Sequence, residues 1–189
     1  MFLTPNEVFD IIIMTLAIGY IFSTFIKREP VEGYDPLKHY QKNQLWEDIK
    51  FGAMIAAPAV VLHELSHKIV AMSFGATATL HAPIPMYIIV IIMRLLKFPI
   101  IFLVGGYVSH TALLPLQSSM VAVAGPLTNL LIFLAATYVI KYGLIPKKYH
   151  RIAFISGKLN LFLCIFNMLP IPGFDGFHFF AGLLNSFGF

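Results

Sequence analysis

Two histidines and a glutamate form a short motif inside an apolar stretch of the chain. His63 and His67 are four residues apart, and Glu64 lies between them. Residues with this spacing project from the same face of a helix, so both imidazoles can bind one Zn²⁺ ion. A carboxylate beside the first histidine can act as a general base on water. The motif therefore predicts one zinc ion per chain, bound by His63 and His67, with Glu64 as the base.

A third metal ligand must lie elsewhere, because a catalytic zinc centre usually has three protein ligands and one position for water. Asp175 is the candidate, since it is the second carboxylate of the long apolar region and an isolated charge there would be costly. Two prolines and a glycine in segment 170–173 should end the preceding helix and leave unwound backbone beside Asp175. His178 is an alternative ligand. The alternative role for Asp175 is to cap a helix that begins at Gly176.

The elements that carry these residues are predicted to be membrane helices. Hydrophobic residues make up 58% of the 189-residue chain and charged residues 12%, with a mean hydropathy of +0.81. A spanning helix needs about 20 mainly apolar residues, and four stretches qualify. The tail, 176–189, is too short for an ordinary span. The four predicted spans are 8–26, 51–74, 120–140 and 152–169.

The stretch 75–117 is apolar but is interrupted by prolines, charges and a Gly-Gly pair, so we do not expect one clean helix there. Segments 77–80 and 100–108 are rich in β-branched and aromatic residues, which predicts short strands. Segment 86–96 is predicted to form an interfacial or re-entrant helix. The expected fold is an all-α polytopic membrane protein in one domain, 1–189. A small β or re-entrant element separates its second and third spans.

Charge excludes nucleic acid as a partner and predicts a lipid bilayer around the chain. The net charge is only +4, and no stripe combines basic with aromatic residues. Lysines and arginines cluster in 27–50 and 141–151, where they flank predicted spans. By the positive-inside rule both clusters lie on the cytoplasmic side and the N-terminus lies outside. The expected location is the cell membrane. The oligomeric state stays open.

Two further motifs accompany H-E-x-x-H. Gly125 begins a G-P-x-x-N motif that ends at Asn129, and Asn167 begins an N-x-x-P-x-x-x-x-D-G motif that ends at Gly176. In this order and spacing, the three motifs resemble those of the site-2 protease family of intramembrane zinc proteases. The resemblance covers residues 63–176. Phe174 stands where the family usually has leucine, and no PDZ module is visible.

The resemblance implies a function, a core and an orientation. It implies hydrolysis of peptide bonds in transmembrane protein substrates, by a three-helix catalytic core formed by the second, third and fourth spans. It also implies an active site nearer the cytosolic face, which is opposite to the orientation from the basic clusters, so the orientation stays open. The residues implied are His63, His67 and Asp175 as zinc ligands, Glu64 as the catalytic base, and Asn129 and Asn167 as assisting groups.

A transmembrane substrate must unwind before attack, because its helix hides the peptide carbonyls in hydrogen bonds. The edge of the strand predicted at 100–108 is expected to pair with the unwound segment, through an amide such as that of Val104 or Tyr107. Gly105 and Gly106 would permit close approach to the zinc.

Two other classes of function use the same ligands without catalysis: a membrane metal-binding protein and a divalent-metal transporter. Glu64 disfavours both, because a pure binding site needs no carboxylate beside its first histidine. A transporter should also show acidic residues or histidines on several spans. A structural scaffold without metal is a third class, and zinc stoichiometry would separate it from the others.

Overall fold

The computed structural model describes residues 2–23, 25, 44–97 and 105–188. Helices dominate it, and its one small sheet has two strands. The fold class predicted from sequence is therefore confirmed. The helices are α1 (Pro5–Phe22), α2 (Gln44–Ser73), α3 (Ile84–Leu95), α4 (Pro115–Lys141), α5 (Lys147–Asn167) and α6 (Asp175–Ser186), and the strands are β1 (Ala78–His81) and β2 (Tyr107–His110).

Within these described ranges, α1, α2 and α4 are long and apolar enough to cross a membrane. The fourth predicted span, 152–169, folds as α5, which is not among them because several lysine, arginine and asparagine side chains dilute its apolar content. That α5 crosses the membrane stays a prediction. Helix α6 has 12 residues, in agreement with a tail too short for an ordinary span.

Polar contacts set where the helices begin and end, and an apolar run in the sequence does not indicate these contacts. At the start of α1, the backbone N–H of Glu7 donates to Thr4 Oγ1 at 3.3 Å, and the Thr4 N–H donates to the Glu7 carboxylate at 2.8 Å. Pro5 occupies the first helical turn, where its missing N–H costs nothing. This capping box starts the helix at Pro5 rather than at the predicted residue 8. Helices α2 and α4 also begin several residues before their apolar stretches.

One compact unit comprises Met1–Pro58 and Ala82–Gly105. It contains α1, the first part of α2, and α3. A Cβ at Gly19 of α1 would lie 2.8 Å from a backbone oxygen of α2, so the two helices approach too closely for any larger residue. The Arg94 guanidinium of α3 lies 3.8 Å from the centre of the Tyr20 ring of α1. Cation–π and small-residue contacts thus join the helices of this unit.

The other unit comprises Ala59–His81 and Gly106–Phe189. It contains the last part of α2, both strands, and helices α4 to α6. Helix α4 contacts both α5 and α6. The Ser119 hydroxyl of α4 donates to the Phe179 carbonyl of α6 at 2.9 Å, while Gly182 leaves room for this contact. All of the predicted site residues belong to this unit.

Strands β1 and β2 form an antiparallel pair in which Leu80 faces Val108. The predicted strand 77–80 is displaced by one residue. The strand predicted at 100–108 begins only at Tyr107, and residues 98–104, including Val104, lie outside the described residues. Both shifts arise because pairing between the strands sets their ends, and composition does not report a register.

The hydrogen-bond pattern of the sheet shows which amides face outward. The Thr111 N–H donates to the Thr77 carbonyl at 3.0 Å, next to the last pair of the ladder. Bonded and non-bonded pairs alternate in an antiparallel sheet, so Tyr107 belongs to a bonded pair and Val108 to a non-bonded pair. The Val108 N–H therefore points away from β1, toward the outer edge of β2, which pairs with no other strand among the described residues.

Candidate metal centre

Helix α2 places His63 and His67 one turn apart with both rings buried. Their Nε2 atoms lie 3.1 Å from each other. The Asp175 carboxylate completes the group, with Oδ2 at 3.0 Å from His63 Nε2 and Oδ1 at 3.4 Å from His67 Nε2. The structure thus brings together the three residues that the sequence predicts as ligands.

The donor atoms fit a zinc ion. Tetrahedral zinc with nitrogen and oxygen ligands at about 2.0–2.1 Å requires donor atoms separated by about 3.3 Å. The two Nε2 atoms are separated by a distance close to this value, and each of them has one Asp175 oxygen at a similar distance. Taken one per residue, the three donor atoms lie within 4.8 Å of one another. Two imidazoles and a carboxylate are also a common donor set for zinc that keeps a fourth position open.

Acceptors behind the rings set the protonation of both histidines. His63 Nδ1 lies 2.6 Å from Asn129 Oδ1, and His67 Nδ1 lies 2.7 Å from the Val121 carbonyl. Because each oxygen can only accept, each Nδ1 must carry the proton and donate it. Both Nε2 atoms then present lone pairs to one point, which is the arrangement that metal-binding histidines require.

Gly125 of α4 lies directly against the two rings. A Cβ at this position would be 2.5 Å from His63 Nε2 and closer still to His67 Nε2. Real Cβ atoms do not approach other atoms so closely, so only glycine leaves the space in which both rings can face an ion. The sequence interpretation included this glycine in a motif but assigned it no role at the metal.

Asp175 reaches the rings because the chain unwinds before it. Helix α5 ends at Asn167, and Gly173 has a φ of +97°, which an L side chain rarely adopts. Asp175 is the first residue of α6, while Phe174 occupies the capping position, so Asp175 does not cap the helix. His178 is exposed and lies outside the group.

Glu64 is buried beside the ligands but is not one of them. Its side chain is 5% exposed, and Oε1 accepts a hydrogen bond from the Gly106 N–H at 3.1 Å. Gly106 immediately precedes β2. One carboxylate oxygen is thus held by the backbone next to the strand.

The two predicted assisting asparagines occupy different positions. Asn129 is fully buried, and its side-chain oxygen faces His63. Asn167 is half-buried at the end of α5 and, among the described residues, makes no hydrogen bond to the three ligand side chains. The sequence interpretation missed Asn160, which is fully buried on α5 and bonded to Asn129. Its one signal in the sequence is an amide within an apolar run of α5.

Two known proteins are similar to this chain. Putative zinc metalloprotease MJ0611 of Methanocaldococcus jannaschii is 31% identical over 178 residues, which cover 92% of this chain and 82% of that protein. Putative zinc metalloprotease sll0528 of Synechocystis sp. is 31% identical over 126 residues, which cover 66% of this chain and 28% of that protein. The chain matches no protein-family model and no solved structure.

The identity with the first relative extends over nearly the whole chain, and the donor set of the centre suits zinc. The metal of this centre is therefore zinc. Membership of the site-2 protease family stays a prediction. The chain belongs to the family of zinc metalloproteases that includes these two relatives.

Proposed function

We propose that the chain is an intramembrane zinc endopeptidase of the site-2 type, located in the cell membrane, that cleaves transmembrane segments of protein substrates. One observation carries the proposal: a buried glutamate lies beside a three-ligand centre on a helix apolar enough to cross a membrane. A buried carboxylate in such a helix is costly, and chemistry at the adjacent centre gives it a role.

The residues divide the work of hydrolysis between them. His63, His67 and Asp175 would hold the zinc ion. When bound, zinc supplies Lewis-acid chemistry, which makes water a nucleophile near neutral pH and polarises the scissile carbonyl. Glu64 takes the proton from the attacking water and delivers it to the leaving amine. The hydrogen bond from Gly106 to Oε1 orients the carboxylate and leaves Oε2 to accept the proton.

The small sheet supports a proposal for how substrate is held. A substrate helix that unwinds frees amide and carbonyl groups, which are costly in lipid unless they find partners. The outward N–H and carbonyl of Val108 on the outer edge of β2 can bind such a strand. Because Gly106 contacts Glu64, a strand added at this edge would bring its carbonyls near the base.

The decisive experiment compares two matched glutamine variants on the same helix. Glu64→Gln removes the proton acceptor but keeps all three ligands, whereas Glu47→Gln changes a surface glutamate paired with Lys50. Each protein is purified in detergent and assayed for zinc content and for cleavage of single-span peptides with a glycine-proline break in the apolar segment.

We expect one zinc ion per chain in all three proteins. Glu64→Gln should lose cleavage by about 10²- to 10⁴-fold, the usual contribution of a general base. Glu47→Gln should cleave like the wild type. Undiminished cleavage by Glu64→Gln would contradict the proposal, and so would cleavage that survives removal of zinc by a chelator.

A further inference from the structure

Asn160 lies in the interior of α5 with no solvent exposure. Its Oδ1 accepts a hydrogen bond from Asn129 Nδ2 at 2.8 Å, and its own Nδ2 donates to the Ser156 carbonyl at 2.8 Å. Asn129 Nδ2 also donates to the Ala59 carbonyl at 3.0 Å, and Asn129 Oδ1 faces His63. A continuous chain of hydrogen bonds therefore runs from α5 through α4 to the first histidine of the metal centre.

Backbone carbonyls determine the direction of this chain. The Ser156 and Ala59 carbonyls can only accept, so the nitrogen of each asparagine amide must point toward a carbonyl. The Asn160 oxygen then faces Asn129, and the Asn129 oxygen faces His63 Nδ1. This orientation forces the His63 proton onto Nδ1 and leaves Nε2 free for metal.

We propose that Asn160 is a positioning residue for the zinc centre, acting through Asn129 to keep His63 in its metal-binding tautomer. Without the Asn160 oxygen, the Asn129 amide keeps one acceptor, the Ala59 carbonyl, and its second N–H loses its buried partner. Rotation of the amide by half a turn, which presents N–H groups to His63, then breaks one hydrogen bond, that to the Ala59 carbonyl, instead of two. In the rotated form the histidine must accept at Nδ1, and its proton moves to Nε2, where it blocks the metal.

This inference rests on the metal centre of the proposed function and not on its substrate. Its readout is therefore metal binding rather than peptide cleavage. If Asn160 has no effect on zinc, the peptidase proposal stands; if Glu64→Gln refutes the peptidase proposal, the positioning role is still measurable.

The experiment uses the full chain in detergent and measures zinc affinity by competition with a chromophoric chelator. Asn160→Leu removes the acceptor at similar volume, while Asn160→Asp keeps an oxygen facing Asn129. Leu163→Ala is the control, because it weakens packing at a buried position of the same helix and has no part in the hydrogen-bond chain.

Partners behind metal-bound histidines are worth about 10- to 100-fold in metal affinity. We expect Asn129→Leu to lose zinc affinity within this range and Asn160→Leu by about three- to tenfold. Asn160→Asp should recover most of the loss, and Leu163→Ala should bind zinc like the wild type. The d–d absorption of bound Co²⁺ should shift in Asn160→Leu and not in Leu163→Ala. The double variant Asn129→Leu/Asn160→Leu should bind zinc no more weakly than Asn129→Leu alone, because both act through one path.

Effects that multiply in the double variant would overturn the inference, as would equal losses in Asn160→Leu and Leu163→Ala. If Asn160→Leu does not fold, Asn160→Ala takes its place in the same comparisons. Wild-type zinc affinity in a folded Asn160 variant without the acceptor would also overturn it.

Discussion

Replacement of Gly125 by alanine should lower zinc affinity while leaving the stability of the apoprotein nearly unchanged, and it does so without removing a metal ligand. The new methyl carbon would lie 2.5 Å from His63 Nε2 and closer to His67 Nε2. In the apoprotein no ion fixes the two imidazoles, so they can move away from the methyl group at the cost of their hydrogen bonds to Asn129 and the Val121 carbonyl. In the zinc form they cannot, because both Nε2 atoms must face the ion. The steric cost therefore falls mainly on the metal-bound state.

The size of the effect follows from overpacking. A methyl group forced into a packed interior costs about 1–3 kcal/mol. At about 1.4 kcal/mol per tenfold change, this cost predicts a loss of about 5- to 140-fold in zinc affinity. The apoprotein should unfold at a similar temperature, because the gain of about 0.5–1 kcal/mol from alanine over glycine in a helix interior offsets the weakened hydrogen bonds of the two rings.

Gly157→Ala is the matched control. Its Cβ would lie 3.1 Å from the Ala136 Cβ, between α4 and α5, with no imidazole among its nearest neighbours. This crowding is the same with and without metal. Chelator competition and thermal unfolding of both apoproteins give the two quantities required. Wild-type zinc affinity in Gly125→Ala, or equal losses in both variants, would refute the steric argument.

Two further pairs of variants test the third ligand and the strand edge. Asp175→Ala should lower zinc affinity by at least about tenfold, whereas His178→Ala should change it little, because only Asp175 lies with the imidazoles. The measurement is the metal content of each variant after dialysis. If His178→Ala loses more zinc than Asp175→Ala, Asp175 is not the third ligand. Val108→Pro should lose peptide cleavage with normal zinc content, because it removes the outward amide of β2. Ala78→Pro makes the same change on the outer edge of β1 and should cleave normally; full cleavage by both proline variants would exclude substrate pairing at β2.

The centres of the helices could be predicted from the sequence, whereas their ends could not. A long apolar run has few folded alternatives to a helix in a membrane, because lipid satisfies no backbone hydrogen bonds. Ends depend on individual polar contacts, such as the exchange between Thr4 and Glu7 at the start of α1. The placement of β2 at Tyr107–His110 depends on its pairing with β1, a tertiary contact that composition does not encode.

Some residues of the metal centre could be predicted from the sequence, and others could not. Histidine and carboxylate side chains in an apolar region have few uses other than metal or proton chemistry, so their types and spacing were informative. A buried asparagine is ambiguous, because it equally bonds one membrane helix to another. The role proposed for Asn160 can be recognised only from the structure, in which its side-chain oxygen accepts a hydrogen bond from Asn129. The Val121 carbonyl behind His67 is backbone, so no residue type could have revealed it.

The break between α5 and α6 explains why an aspartate so far along the chain reaches helix α2. In a continuous helix through 168–174, each residue would turn the side-chain direction by about 100°. The direction of the Asp175 side chain would then be fixed by the number of residues in this segment. The break instead sets the approach through one positive-φ glycine, Gly173, and through close packing at Gly176. A Cβ at Gly176 would lie 2.6 Å from the Leu169 carbonyl oxygen, so no larger residue lets α6 start so near the end of α5. The glycine that follows the ligand aspartate thus helps to place the carboxylate while binding no metal itself.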